Sequence, residues 1–148
     1  MNSSPNDHCF AYVKFSGLFD PAKLSDKIGL PATKFWAAGD THPITKQTRK
    51  FSMWKLESRL PHSAEVEEHV GDVLAQLAGR LPQVKMLAEE FNGVMQLVCR
   101  FKEWTAGIHF DSKLLAAIAA SGLEIDIDEY FTREDREAIP IEPPIPAQ

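Results

Sequence analysis

Two segments of this chain share one order of features: an acidic residue, a helical run that ends at glycine, and strand-like patterns on either side. The first runs from Asp20-Pro21 to Gly29, and the second runs from Asp111 to Gly122, with Asp111 or Ser112 as its N-cap. An acidic N-cap, followed in the first segment by proline at the first helical position, begins a helix, and the glycine ends it. Helices set between strands in this way restrict the chain to a sheet with packed helices.

Period-two alternation of apolar and polar side chains marks the strands. Residues 9–16 alternate in this way, and residues 94–104 repeat the pattern over a longer stretch. Such alternation is typical of a strand with one buried face. Shorter strand patterns lie at residues 33–38, 51–58, 108–110 and 123–131.

A broken helix is predicted in the middle of the chain. Ser63 is the predicted N-cap, and an apolar stripe at helical spacing follows it until Gly79 and Pro82 interrupt it. The predicted order is β-α-β-β-α-β-β-α-β, an α+β domain with an antiparallel or mixed sheet. Because the helix-and-glycine unit occurs twice, a duplicated ferredoxin-like sandwich is a candidate arrangement. The stripe consists of Val66, Val70, Val73, Leu74 and Leu77.

The length of 148 residues fits a single domain. The predicted division is a polar N-terminal tail at residues 1–8, the domain at residues 9–132, and a charged and then proline-rich tail at residues 133–148.

Cys9 and Cys99 lie on apolar strand faces, so we expect buried, reduced thiols rather than a disulfide or a nucleophile.

The charge balance disfavours a nucleic-acid partner. The formal net charge is -5, and the longest basic cluster, from Lys46 to Lys50, holds three charges. Binding to phosphates needs clustered Lys and Arg. The chain also has no signal-peptide pattern and no stretch long enough to span a bilayer, so a cytoplasmic protein is expected.

An acidic row is the feature most suggestive of a site. Glu124, Asp126 and Asp128 alternate with aliphatic residues on the last predicted strand, and His109 is a candidate neighbour. Such a group is able to hold a hard divalent cation or to perform acid–base chemistry. The alternative is a solvated sheet face.

Cross-strand pairing supports the solvated alternative for the acidic row. Arg100 and Lys102 are predicted to lie opposite the row as its partners. The remaining histidines fit no metal motif: His62 and His69 are predicted surface residues, with a local interaction between Glu65 and His69.

Trp54 and Trp36 are predicted to lie in different environments. Trp54 shares a strand face with an aliphatic residue and is predicted to lie in the core. Trp36 adjoins a polar loop at residues 39–47 and is a candidate for the rim of a binding site.

Six short runs form a specific combination. They are Asp20-Pro21, residues 28–33, Trp36 with Gly39-Asp40, residues 54–58, residues 66–70 and residues 122–130. Together they resemble a bacterial family known as domain of unknown function 4279. The resemblance covers the chain from about Phe10 to Phe131, and it implies an intracellular domain without established catalytic residues. Asp40, in the run that contains Trp36, is a further binding candidate.

Three functions follow as hypotheses. The first is a non-catalytic module that binds a protein with a basic surface, such as an immunity protein that neutralises a toxin. The alternative is a small-molecule or divalent-metal-dependent enzyme that uses His109, Asp126 and Asp128, with Trp36 in a pocket. The third is a homodimer subunit. No cofactor is expected.

Overall fold

The computed structural model describes residues 8–102 and 107–131 of the chain. In chain order the elements are β1 (His8–Gly17), α1 (Pro21–Ile28), β2 (Lys34–Trp36), β3 (Ser52–Glu57), α2 (Val66–Gln76), α3 (Leu81–Phe91), β4 (Val94–Phe101), α4 (Ser112–Ser121) and β5 (Glu124–Phe131).

The described strands form one mixed sheet in the order β2-β3-β1-β4-β5. Every neighbouring pair is antiparallel except β4 and β5, which are parallel. A parallel pair needs a crossover connection, and α4 lies in the connection between β4 and β5. β1 occupies the central position in the sheet.

The helices pack against one face of the sheet. On β1 this face consists of Cys9, Ala11, Val13 and Phe15, all buried, and α2 lies across β1 and β4 while α1 lies against β3. No described helix covers the opposite face, which we call the open face. The chain is therefore an α+β fold with its apolar core between one helical layer and one sheet.

The helix ends predicted from sequence are confirmed for α1 and α4. The carboxylate of Asp20 accepts the N–H of Ala22 at 3.0 Å, and α1 ends at Gly29 with φ of 82°. The carboxylate of Asp111 accepts the N–H of Leu114 at 2.8 Å and caps α4 in the same way. A single side-chain oxygen thus satisfies a backbone donor that the first turn leaves free.

The predicted order is wrong at residues 108–110, which form no strand. The predicted break of the central helix is present: α2 and α3 are separate helices, and Gly79 between them adopts a left-handed conformation, with φ of 78°. The cap of α2 also differs: it is Glu65 and not Ser63, in a capping box with Glu68. The duplicated ferredoxin-like arrangement is not confirmed, since the described strands make a single sheet.

Cys9 and Cys99 are buried, as predicted, and are direct register partners across β1 and β4. A hydrogen bond with the Cys9 thiol and burial both raise the pKa of Cys99 far above its usual value. A thiol that stays protonated is a poor nucleophile.

Trp104 and both predicted tails lie outside the described residues, except for His8, which begins β1.

None of the described helices combines the length and the apolar character that crossing a membrane requires.

Candidate functional site

Aromatic rings occupy the middle of the open face. Phe10 and Tyr12 alternate with the core residues of β1, and their rings stack with centroids 6.1 Å apart. On its other side Phe10 stacks on His62, at 5.3 Å. Burial, and then the nearby carboxylates of Asp128 and Glu57, raise the pKa of Tyr12. The phenol therefore stays neutral in the middle of a charged surface.

Three lysines form a line across the open face, which we call the lysine row: Lys14, Lys34 and Lys55. Lys55 on β3 is the direct register partner of Lys34 on β2 and of Lys14 on β1. Like charges placed directly opposite on a sheet destabilise it. Burial lowers the pKa of Lys55, and its two lysine neighbours lower it further, while Glu57 raises it.

Aromatic rings and one carboxylate hold the lysine row in place. The ammonium of Lys55 lies 4.7 Å from the ring centroid of Tyr12 and 5.9 Å from that of Trp36. Lys34 forms an ion pair with Glu57 at 3.2 Å. These contacts direct positive charge to a defined part of the surface, although each exposed pair contributes little to stability.

The structure places Trp36 and Asp40, both predicted binding residues, at the β2 edge of the sheet. Trp36 is half-buried on the open face, and the guanidinium of Arg49 lies 4.0 Å from the centroid of its ring. The carboxylate of Asp40 accepts the N–H of Ala37 at 2.8 Å. Asp40 therefore shapes the turn that follows β2, and the face of the Trp36 ring beneath Arg49 is covered.

The acidic row, Glu124, Asp126 and Asp128, lies on the open face at the opposite edge, on β5. All three side chains are exposed. The side-chain amide of Gln96 donates to the Asp128 carboxylate at 3.2 Å and to the backbone carbonyl of Asp126 at 3.3 Å. This buried amide on β4 fixes the position of the row relative to the middle of the sheet.

The predicted pairing of Arg100 with the acidic row is wrong, because β4 and β5 are parallel. The residues opposite the row are Val94, Gln96 and Val98, none of which is charged. Arg100 instead lies opposite Tyr130, with its guanidinium 5.5 Å from the centroid of that ring. The direct partners of the acidic row on β4 therefore carry no positive charge.

His109 does not lie with the acidic row. Its backbone N–H donates to the Glu67 carboxylate of α2 at 2.6 Å, which places it in the helical layer, on the other side of the sheet. There it borders a groove of about 600 Å³ between α2 and α4. The lining is Glu65, Glu67, Glu68, Gly71, Leu74, Ala75, His109, Asp111, Lys113, Leu114 and Ala117.

The carboxylates around this groove already have structural partners. Glu65 and Glu68 form the capping box of α2, Asp111 caps α4, and Glu67 accepts the His109 N–H. Acidic residues at helix N-termini also interact favourably with the helix dipole. Within residues 8–102 and 107–131, no group of three or more His, Cys, Asp or Glu side chains is arranged to hold a metal ion.

His69 is buried, contrary to the prediction that it lies on the surface. It lies on the same side of α2 as the apolar stripe and is fully buried, with its ring Nδ1 2.7 Å from the hydroxyl oxygen of Ser58. Burial lowers the pKa of His69, and the nearby His62 lowers it further. Glu68, Asp72 and the backbone of Pro61 oppose these effects, and the net shift is downward.

Acidification is expected to destabilise the fold through His69. A buried histidine whose pKa lies below its unfolded value of about 6.5 gives stability that is complete above that pH and is lost as the pH falls through the folded pKa. We expect the melting temperature to fall by several degrees between about pH 7.5 and 5.5. His69→Gln should lower stability at neutral pH and flatten this pH dependence.

The control for this measurement is His109→Gln, which removes an exposed histidine from the helical layer. Thermal melts of the three proteins across the pH range separate the outcomes. An unchanged pH dependence in His69→Gln would show that His69 does not carry the effect.

The lysine row was not predicted from the sequence. Each lysine lies on a recognisable strand segment, but their alignment depends on which strands are neighbours and in what register. Alternation alone indicates that Lys14 lies on the less buried side of β1. The same pattern puts Lys55 on the less buried side of β3, but it contains no information about which strands are neighbours.

The fold and the open face define a small two-layer α+β domain with oppositely charged edges on its uncovered side. Comparison with known families agrees with this class: the model of the family described as domain of unknown function (DUF4279) matches residues 7–132. The chain belongs to this family. No curated protein and no solved structure matches it.

Proposed function

We propose that this domain is a non-catalytic protein-interaction module, and that its acidic row binds a basic surface on a partner protein. The row extends along the edge strand β5, exposed and on the face that no described helix covers. A row of carboxylates steers a basic partner and fixes its orientation.

One observation carries the proposal: the residues opposite the acidic row on β4 are Val94, Gln96 and Val98. Three like charges on one strand whose register partners on β4 carry no positive charge repel one another, which costs free energy. Cations supplied by a partner remove that cost. The carboxylates of the helix groove differ, because they already cap helices or accept backbone N–H groups.

In its specific form, the proposal is that the partner is a toxin and the domain its immunity protein. A toxin that acts on nucleic acid needs a basic surface to bind phosphates, and a rigid acidic row is able to cover that surface. The proposed location is the cytoplasm, where the thiols of Cys9 and Cys99 remain reduced.

The test is affinity capture from the source organism with three forms of the domain: wild type, Asp126→Lys and Asp26→Lys. Asp26 is exposed on α1, in the helical layer, so its reversal makes the same charge change away from the open face. Wild type and Asp26→Lys should retain the same protein, and Asp126→Lys should lose it. For the captured protein, we expect Asp126→Lys to slow association about tenfold at low salt.

Two results would contradict the proposal. One is capture of nothing above background by wild type. The other is equal retention of the same partner by all three forms, which would place the binding surface away from the acidic row.

A further inference from the structure

The open face carries opposite charges at its two sides, with aromatic rings between them. The lysine row crosses β1, β2 and β3, the acidic row lies on β5, and Phe10 and Tyr12 lie on β1 in the middle. A surface of this kind is complementary to a copy of itself that is turned so that its edges are exchanged.

The sheet order provides that exchange. Because β1 is the middle strand, a two-fold axis that runs parallel to β1 between two stacked sheets places β2 of one copy over β5 of the other. It also keeps residues at the same level along the strands. One line of register partners crosses the whole sheet and has Lys34 and Glu124 at its ends.

We propose that this chain forms a symmetric homodimer through its open face, in which Lys34 of each copy faces Glu124 of the other. Aligned sheets pack about 10 Å apart, a separation that extended lysine and glutamate side chains are able to bridge. The contact is isologous, so the Lys34–Glu124 pair forms twice.

The size of the face predicts a weak dimer. Strands spaced about 4.8 Å apart and about 25 Å long give roughly 500 Å² of surface per copy. The total of about 1,000 Å² is at the lower end of specific interfaces. We therefore expect a micromolar dissociation constant, with an affinity that falls as salt rises.

Electrostatics favours this pairing, with one exception. Lys34, at the β2 end of each lysine row, lies over Glu124 of the second copy, while Lys55 lies over the uncharged Val94. The exception is Lys14, which lies on β1 close to the axis and faces Lys14 of the second copy. Its charge opposes association.

This dimer and the proposed function use the same acidic row, so a second copy competes with a partner protein for it. Self-association would hold the domain in reserve until a partner displaces the second copy. The two proposals are separable, because self-association is measured on the purified chain without any partner. Either one can fail while the other holds.

The experiment is sedimentation equilibrium at about 0.05 M and about 0.5 M salt. The wild-type mass should rise with concentration from 16.6 kDa toward twice that value at low salt, and less at high salt. Lys34→Glu and Glu124→Lys should each weaken the dimer about tenfold or more. An equimolar mixture of the two variants should restore it, because both pairs in the mixed dimer are again complementary.

Two further variants test the charge at the two-fold axis and a charge away from the open face. Lys14→Met should strengthen the dimer by removing the repulsion at the axis, whereas Asp26→Lys on α1 should leave it unchanged. Circular dichroism checks that each variant is folded. A wild-type chain that stays monomeric at several hundred micromolar overturns the proposal, as does a mixture that fails to restore the dimer.

The same variants also test whether the lysine row binds a polyanion instead of a second copy. A labelled single-stranded oligonucleotide serves as the probe. If the chain is monomeric, and if Lys34→Glu and Lys14→Met both abolish binding of this probe, then the lysine row belongs to a polyanion site and the homodimer is wrong.

Discussion

Trp54→Ala is expected to lower the free energy of unfolding by about 3–5 kcal/mol, the range measured for large aromatic residues deleted from cores. The Trp54 side chain is fully buried, and its ring packs on Phe15 with centroids 5.7 Å apart. Its indole N–H donates to the hydroxyl of Ser25 on α1 at 2.9 Å. The substitution leaves a cavity and removes a link between the sheet and the helical layer.

Phe35→Ala is the control for this substitution. Phe35 is the direct register partner of Trp54 on β2, but 65% of it is exposed. Its loss should cost less than about 1 kcal/mol, because little apolar area is returned to water. Urea denaturation with a constant m value measures both. Equal losses in the two variants would contradict the central role of Trp54.

Gly93→Ala is expected to destabilise the domain by about 1–3 kcal/mol or more through overpacking. A Cβ at Gly93 would lie 2.7 Å from the Cβ and 2.8 Å from the Cα of Ala88, and 2.9 Å from a methyl carbon of Leu123. Ala88 belongs to α3, so backbone must move. Gly93 also accepts the N–H of Glu124, and the displacement would disturb the start of β5.

Gly71→Ala is the control, because it makes the same chemical change at a position that has space for a Cβ. Gly71 lies within α2, and a Cβ there has no heavy atom within 4 Å. Replacing a helical glycine by alanine should stabilise the domain by about 0.5–1 kcal/mol. The two variants should therefore shift the urea midpoint in opposite directions. A Gly93→Ala midpoint equal to that of wild type would show that α3 and β4 are loosely packed.

Local signals were sufficient for the ends of α1 and α4. The contacts that begin these helices join residues two or three positions apart, such as Asp20 with Ala22 and Asp111 with Leu114. The burial of Trp54 followed from alternation on one strand. Such features depend on neighbours along the chain, and a short stretch of sequence contains them.

His69 shows why a local prediction fails. It follows Val66 by one helical turn and so lies on the same side of α2 as the apolar stripe, but its polarity favoured a surface position. Its ring Nδ1 has a partner in the hydroxyl of Ser58, in the segment that follows β3. That partner comes from another part of the chain, and the helix pattern does not contain it.

The acidic row was also predicted only in part from the sequence. The alternation on β5 was sufficient to predict that Glu124, Asp126 and Asp128 share one face, but not what lies opposite that face. Parallel pairing of β5 with β4 shifts Arg100 to Tyr130, away from the acids. Folding also separates His109 from the row, because the segment before α4 lies in the helical layer.

The sequence by itself determined the α+β class, the caps of α1 and α4, the buried thiols and the family of this protein. Those properties follow from side-chain chemistry and from periodicity over a few residues. Only the tertiary structure decided the strand order, the alignment of the lysine row and the position of the acidic row at the opposite edge of the open face. Strand neighbours and register are set by contacts between distant parts of the chain, and those contacts depend on how the whole core packs.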